Sequence, residues 1–159
     1  MSGVIQSGNV TPGNIVKWVT DDIVQDGGPQ IGPSETVLAR LLSANFNTTS
    51  DQQIAIPSTV NKFNLTRIIV TNASLSLTTA VGGFYSQPGK AGSAIVAAGQ
   101  AYAALTTAVG LLNPTLTVSA NTTAFTPANL TAFSVYFALT TAQGVAAVAD
   151  IFLVGIILG

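Results

Sequence analysis

The chain has no cysteine and no histidine, one methionine and one tryptophan, and only five basic and six acidic residues among its 159. Without cysteine there is no disulfide scaffold, no thiolate nucleophile and no Cys/His zinc site, and without histidine the usual general base is missing. Ser-x-x-Lys, Gly-x-Ser-x-Gly and Gly-x-x-x-x-Gly-Lys-Ser/Thr arrangements are absent as well. Neither enzymatic chemistry nor a bound cofactor is expected. The cations Lys17, Arg40, Lys62, Arg67 and Lys90 are scattered and the net charge is −1. Nucleic-acid binding needs clustered Lys and Arg over phosphates and is excluded on that ground. The apolar run Ile151 to Gly159 is far short of the ~20 residues that a membrane helix requires. The N-terminus shows no basic segment followed by an apolar core, so no signal peptide is expected, and the N-x-S/T sequons of this Thr-rich chain are read as chance. Asp21, Asp22 and Asp26 lack the alternating carboxylate pattern of a calcium loop and read as a solvated turn.

Scarcity of charge itself carries information. A monomer of 16.1 kDa exposes roughly 7,400 Å², or about one charge per 670 Å², against one per about 190 Å² for average composition. Such a surface is either covered by Thr, Ser, Asn and Gln or hidden against neighbours. Obligate assembly is the expectation.

Residues 1–36 hold six of the 15 glycines and three of the seven prolines, with short apolar pairs between them. Too little apolar surface is present to bury a core, so the segment reads as an extended N-terminal arm with one or two short strands. Turns are expected at Thr11-Pro12-Gly13 and at Asp26-Gly27-Gly28-Pro29. Its apolar residues Val10, Ile15, Val16, Trp18, Ile23 and Val24 are the candidate partner contacts, Trp18 being the expected pocket anchor.

From Val37 onward, runs rich in β-branched and aromatic residues alternate with Asn, Thr, Ser, Gly and Pro clusters. Strands are predicted at Val37 to Phe46, Gln53 to Ile56, Leu65 to Asn72, Thr79 to Tyr85, Ala94 to Ala97, Thr115 to Ser119, Ala132 to Leu139 and Val148 to Leu158. In Phe133-Ser-Val135-Tyr-Phe137-Ala-Leu139 every odd position is bulky and apolar and faces a core. Arg67 marks a strand with one face reaching solvent or a partner. The fold expected for residues 37–159 is an all-β, single β-sandwich, jelly-roll-like. Ile151 to Leu158 is apolar at both alternating sets of positions and must be covered twice. That makes Ile151, Leu153, Ile156 and Ile157 candidate oligomer-interface residues. Asp150, alone among apolar residues, is expected to be hydrogen-bonded to backbone.

The segment from Gly8 to Pro29, Gly8-Asn-Val-Thr-Pro-Gly-Asn-Ile-Val-Lys-Trp-Val-Thr-Asp-Asp-Ile-Val-Gln-Asp-Gly-Gly-Pro29, resembles one near the N-termini of tailed-bacteriophage virion proteins. There a G-x-V-T-P-G-H-x-x-x-W-x-x-x-G-x-x-x-D-G-G pattern precedes varied domains of fibre, spike and decoration proteins. Asn14 stands here where His is usual, and Asp22 where Gly is usual. Ile68-Ile-Val-Thr-Asn-Ala-Ser74, Thr79-Ala-Val-Gly-Gly-Phe-Tyr85 and Ala138-Leu-Thr-Thr-Ala-Gln-Gly144 are similar to a β-domain of phage structural proteins. The resemblance implies a structural virion protein on the capsid surface. As a capsid decoration or cement protein it would form a homotrimer bound to the major capsid protein through its arm. A tail-fibre or host-recognition module binding surface glycan is the alternative, with Tyr85, Tyr102 and Tyr136 as its candidate aromatics.

Overall fold

The structure is a computed structural model describing residues 5–6, 14–20, 23–29, 34–60, 62–107, 110–117 and 133–158; for residues 5–29 and Phe133 the description is of the backbone alone. Two compact units divide the chain, Met1–Ser34 and Glu35–Gly159.

In the first unit β1 (Ile5–Gln6), β2 (Asn14–Thr20) and β3 (Ile23–Pro29) form a sheet of order β1-β3-β2. β2 and β3 are antiparallel, with Trp18 opposite Val24 and Val16 opposite Asp26, and β1 runs parallel to β3. Three strands thus stand where the sequence suggests one or two. The predicted Asp26–Pro29 turn is instead the end of β3, where Gly27 and Gly28 coincide with a shift of register between Asn14 and Val16. Backbone pairing needs no long apolar run, so a hairpin forms in a segment whose composition argues for little structure. Val10 and the Thr11-Pro12-Gly13 turn lie outside the described residues.

The second unit has eight strands: β4 (Thr36–Asn45), β5 (Gln52–Ile56), β6 (Phe63–Thr71), β7 (Val81–Gln87), β8 (Ala91–Val96), β9 (Leu111–Leu112), β10 (Phe133–Thr141) and β11 (Val148–Ile157). They build two four-stranded antiparallel sheets, ordered β4-β11-β6-β9 and β5-β10-β7-β8. The chain passes from one sheet to the other at every connection except β7–β8, and its last strand returns beside its first. That is the strand order of a jelly roll. The β-sandwich read from the sequence is the fold observed. Seven predicted strands match to within a few residues. The eighth differs: β9 is Leu111–Leu112, while within the predicted Thr115–Ser119 Leu116 forms an isolated bridge to Val96 and the Thr117 N–H donates to the Ile95 carbonyl at 3.0 Å, and Val118 and Ser119 lie outside the described residues.

Alternation places the core. Val135, Phe137 and Leu139 of β10 are fully buried opposite Ile54, Phe84 and Gly82. Phe137 packs on Phe46 and Phe84 with ring centroids 4.9 and 5.1 Å apart, and Tyr102 meets Phe46 edge-on at 5.1 Å. At Gly82 and Gly155 the neighbouring strand lies so close that a Cβ would collide with backbone, of Leu139 and Ala138 in one case and of Asn64 in the other. Gln143 pins the connecting loops. Its amide accepts from the Thr79 and Ala80 N–H groups and donates to the Ser76 carbonyl, at 3.1, 3.2 and 3.2 Å.

Candidate interaction surfaces

A strand buried on one face sends alternate side chains outward, and on a solvated sheet these are polar. On β4-β11-β6-β9 large apolar side chains stand among Arg40, Arg67, Thr71 and Asp150. Phe152, half-buried, lies opposite Ile69 on one side and Arg40 on the other, and Val154 lies opposite Val37. Leu42 and Leu111, each 51% exposed, extend the same face at its two margins, Leu111 standing opposite Thr71.

The charges on this face are few. Arg67 is held by Glu35 at 2.9 Å. Asp150 accepts from the Ser43 N–H and from Asn72 Nδ2, both at 2.8 Å. These bonds, Asn72 first and Ser43 second, hold its carboxyl below the usual range against a small opposing effect of burial. Ser43 and Asn72 both sit at φ +54°, and Ser43 falls where β4 slips register against β11. The carboxylate therefore ties the β4 bulge to the Asn72 side chain just after β6, and of its two bonds the one from Ser43 is the backbone contact expected for Asp150. Arg40 has no recorded carboxylate partner among the described residues.

The predicted interface residues divide. Ile151 and Leu153 are wholly buried inside the sandwich, opposite Val70 and Ile68, which corrects their assignment to an oligomer interface. Two residues apart on one strand, they share the core side with Ala149. The intervening Phe152 is the outward residue. The second cover expected for this strand is partly intramolecular. A register shift between Val154 and Gly155 lets Leu153, Val154 and Gly155 all be buried in succession. Ile156 is half-buried and Ile157 is 44% exposed. Of the predicted partner contacts, Ile15, Val16 and Trp18 fall on β2 and Ile23 and Val24 on β3. Val37, Leu42 and Leu111 were not legible as surface residues, since an apolar residue in a β-rich run reads as core until the register is known.

The outer face of β5-β10-β7-β8 is small and polar. Gln53, Ala55, Ser134, Tyr136 and Thr140 occupy it, with Gln53 Nε2 donating to Ser134 Oγ at 2.7 Å. Tyr136 is flanked directly by Gln53 on β5 and Tyr85 on β7. Tyr85 is buried, and its hydroxyl has no hydrogen-bond partner among the described residues. Burial, and then the nearby Asp51, push its ionisation upward. Tyr102 instead belongs to the core, where burial raises its pKa further. Two of the three candidate aromatics are therefore neighbours, which their sequence spacing of 51 residues conceals. At the edge between the sheets, a groove of about 410 Å³ runs from Val37 and Arg40 to Ala55 and Pro57.

Comparison of the chain with protein-family models, with curated proteins and with solved structures finds no match.

Proposed function

We propose that this chain is a structural virion protein, a decoration or cement subunit that sits on the outer surface of a bacteriophage head as a homotrimer. In this reading the N-terminal unit supplies contacts to the major capsid protein and the sandwich supplies contacts between copies. The reading assigns no catalytic residue, metal or cofactor. The resemblance of Gly8–Pro29 to virion proteins motivates it. The observation that carries it is the large apolar side chains on the outer face of β4-β11-β6-β9, in a chain with few charges to keep a monomer apart. Purified chain mixed with undecorated heads should co-sediment at hundreds of copies per particle, and a chain lacking residues 1–34 should stay folded but lose attachment. Absence of co-sedimentation, or a few dozen copies confined to the tail, overturns the reading.

The adjacency of Tyr136 and Tyr85, with Gln53 and Ser134 alongside, favours a second reading as a glycan-binding module. An aromatic ring flanked by amide and hydroxyl groups suits the apolar face and hydroxyls of a sugar. Tyr136→Ala should then abolish binding to host-surface polysaccharide without changing the melting temperature.

A further inference from the structure

Resting on the assembly reading above, we infer that the outer face of β4-β11-β6-β9 is the surface by which one copy of this chain meets a second copy. Size is the first argument. Strands of about nine or ten residues at ~3.3 Å per residue, spaced ~4.8 Å apart, present roughly 33 by 15 Å, or about 500 Å² in projection. Relief from the side chains and the adjoining groove at Val37 and Arg40 bring this towards the ~800 Å² that each partner contributes to a standard interface. Chemistry is the second. Phe152, Ile69, Leu42 and Leu111 put large apolar side chains among the polar residues of a face that on a solvated sheet would be polar throughout, and an aromatic with aliphatic neighbours is the composition of an interface centre.

Charge decides the occupant. Glu35 neutralises Arg67 on the face itself. What remains is one cation, Arg40, and one carboxylate, Asp150, on adjacent strands. A face with one charge of each sign complements another copy of itself across a two-fold axis, so it is a pairing contact distinct from the three-fold contact of a trimer. It offers nothing to attract a strongly acidic or strongly basic partner. Asp150 is half-buried at the surface, and a carboxylate holding two donors still has acceptor capacity. Arg40 of one copy can therefore be met by Asp150 of the next.

The experiment is sedimentation of the full chain across a range of concentrations, comparing Leu42→Asp, Leu111→Asp and Arg40→Glu with Gln53→Asp and Thr140→Asp on the opposite sheet. The sites of the aspartate substitutions at Leu42 and Leu111 are more than half exposed, so circular dichroism and the monomer melt should be unchanged. The expected result is an oligomer for the unaltered chain, a dissociation constant raised at least tenfold by each substitution on the inferred face, recovery by Arg40→Lys, and no change from the opposite sheet. A monomeric unaltered chain, or an oligomer indifferent to Leu42→Asp and Leu111→Asp, overturns the inference. So does a Leu42→Asp chain that remains oligomeric but loses its hold on heads, since the face would then belong to the capsid contact. Head binding by the unaltered chain is scored separately. If it fails while Leu42→Asp still dissociates the oligomer, the cement reading falls and this inference stands.

Discussion

The two sheets of the sandwich share one core and differ on the outside. Inward, both present the same kind of surface: Ile151, Leu153, Ile68 and Val70 from one, Val135, Phe137, Leu139 and Phe84 from the other, all essentially inaccessible. Outward, β5-β10-β7-β8 shows Gln53, Ser134, Thr140 and the Tyr136 ring, whereas β4-β11-β6-β9 shows Val37, Leu42, Phe152, Ile69 and Leu111. Folding alone explains the inward likeness, because burying apolar surface is the main favourable contribution to either sheet. It does not explain the outward difference. Fold stability is indifferent to most single residues on an outer face, so an apolar one points to contact with something else.

The comparison predicts that the core is common property while the faces are separable. Phe137→Ala removes a ring that touches Phe46 and Phe84 and should cost about 3–5 kcal/mol. Urea unfolding should remain a single transition at a lower midpoint. Two separate transitions would mean that the sheets are not one cooperative unit. Gln143→Ala should come next, at about 2 kcal/mol, because the Thr79 and Ala80 N–H groups and the Ser76 carbonyl lose their partner together. A change within 0.5 kcal/mol in the same titration would show that water replaces the amide.

Asp150 sharpens the comparison by pH. Its folded-state pKa lies below the unfolded value, so the stability it adds is fully present above about pH 4. It is lost as the pH falls through the lower folded value, when protonation ends its acceptance from Asn72 and Ser43. The group is half-buried but both of its bonds lie where solvent screens them, so the contribution should be under about 1 kcal/mol. Thermal melts of the unaltered chain and Asp150→Asn should differ by a few degrees at about pH 6 and converge as the pH falls into the acid range. The smallest expected effect on folding comes from exchanging outer-face chemistry. Leu42→Thr together with Thr140→Leu should leave monomer stability within about 0.5 kcal/mol while reducing association, measured by light scattering. An unchanged assembly would remove the functional meaning of the difference between the faces.

Much of this was legible along the chain. The β10 pattern at Val135, Phe137 and Leu139 names its core side without a structure, because a strand alternates with period two and β10 is polar or small on the other side. β11 defeats the same reasoning. Its residues are apolar at both alternations, so no pattern distinguishes core from surface, and the register slips of its partners at Leu153–Val154 and Val154–Gly155 leave Leu153, Val154 and Gly155 buried in succession. Ile151 and Leu153 therefore read as interface and proved to be interior. Tyr85 and Tyr136 are far apart in sequence, and only the pairing of β7 with β10 makes them neighbours.

Composition and local pattern alone settled the all-β class, the change of character near residue 36 and the core side of β10. These depend on short-range sterics and alternation, which act within a few residues. Tertiary structure alone decided that β11 lies between β4 and β6, that Leu42, Phe152, Ile69 and Leu111 share one outer face, and that Tyr102 is core while Tyr136 is surface. Those outcomes depend on register between strands distant in the chain, and a slip of one residue sends every side chain of a strand to the opposite face.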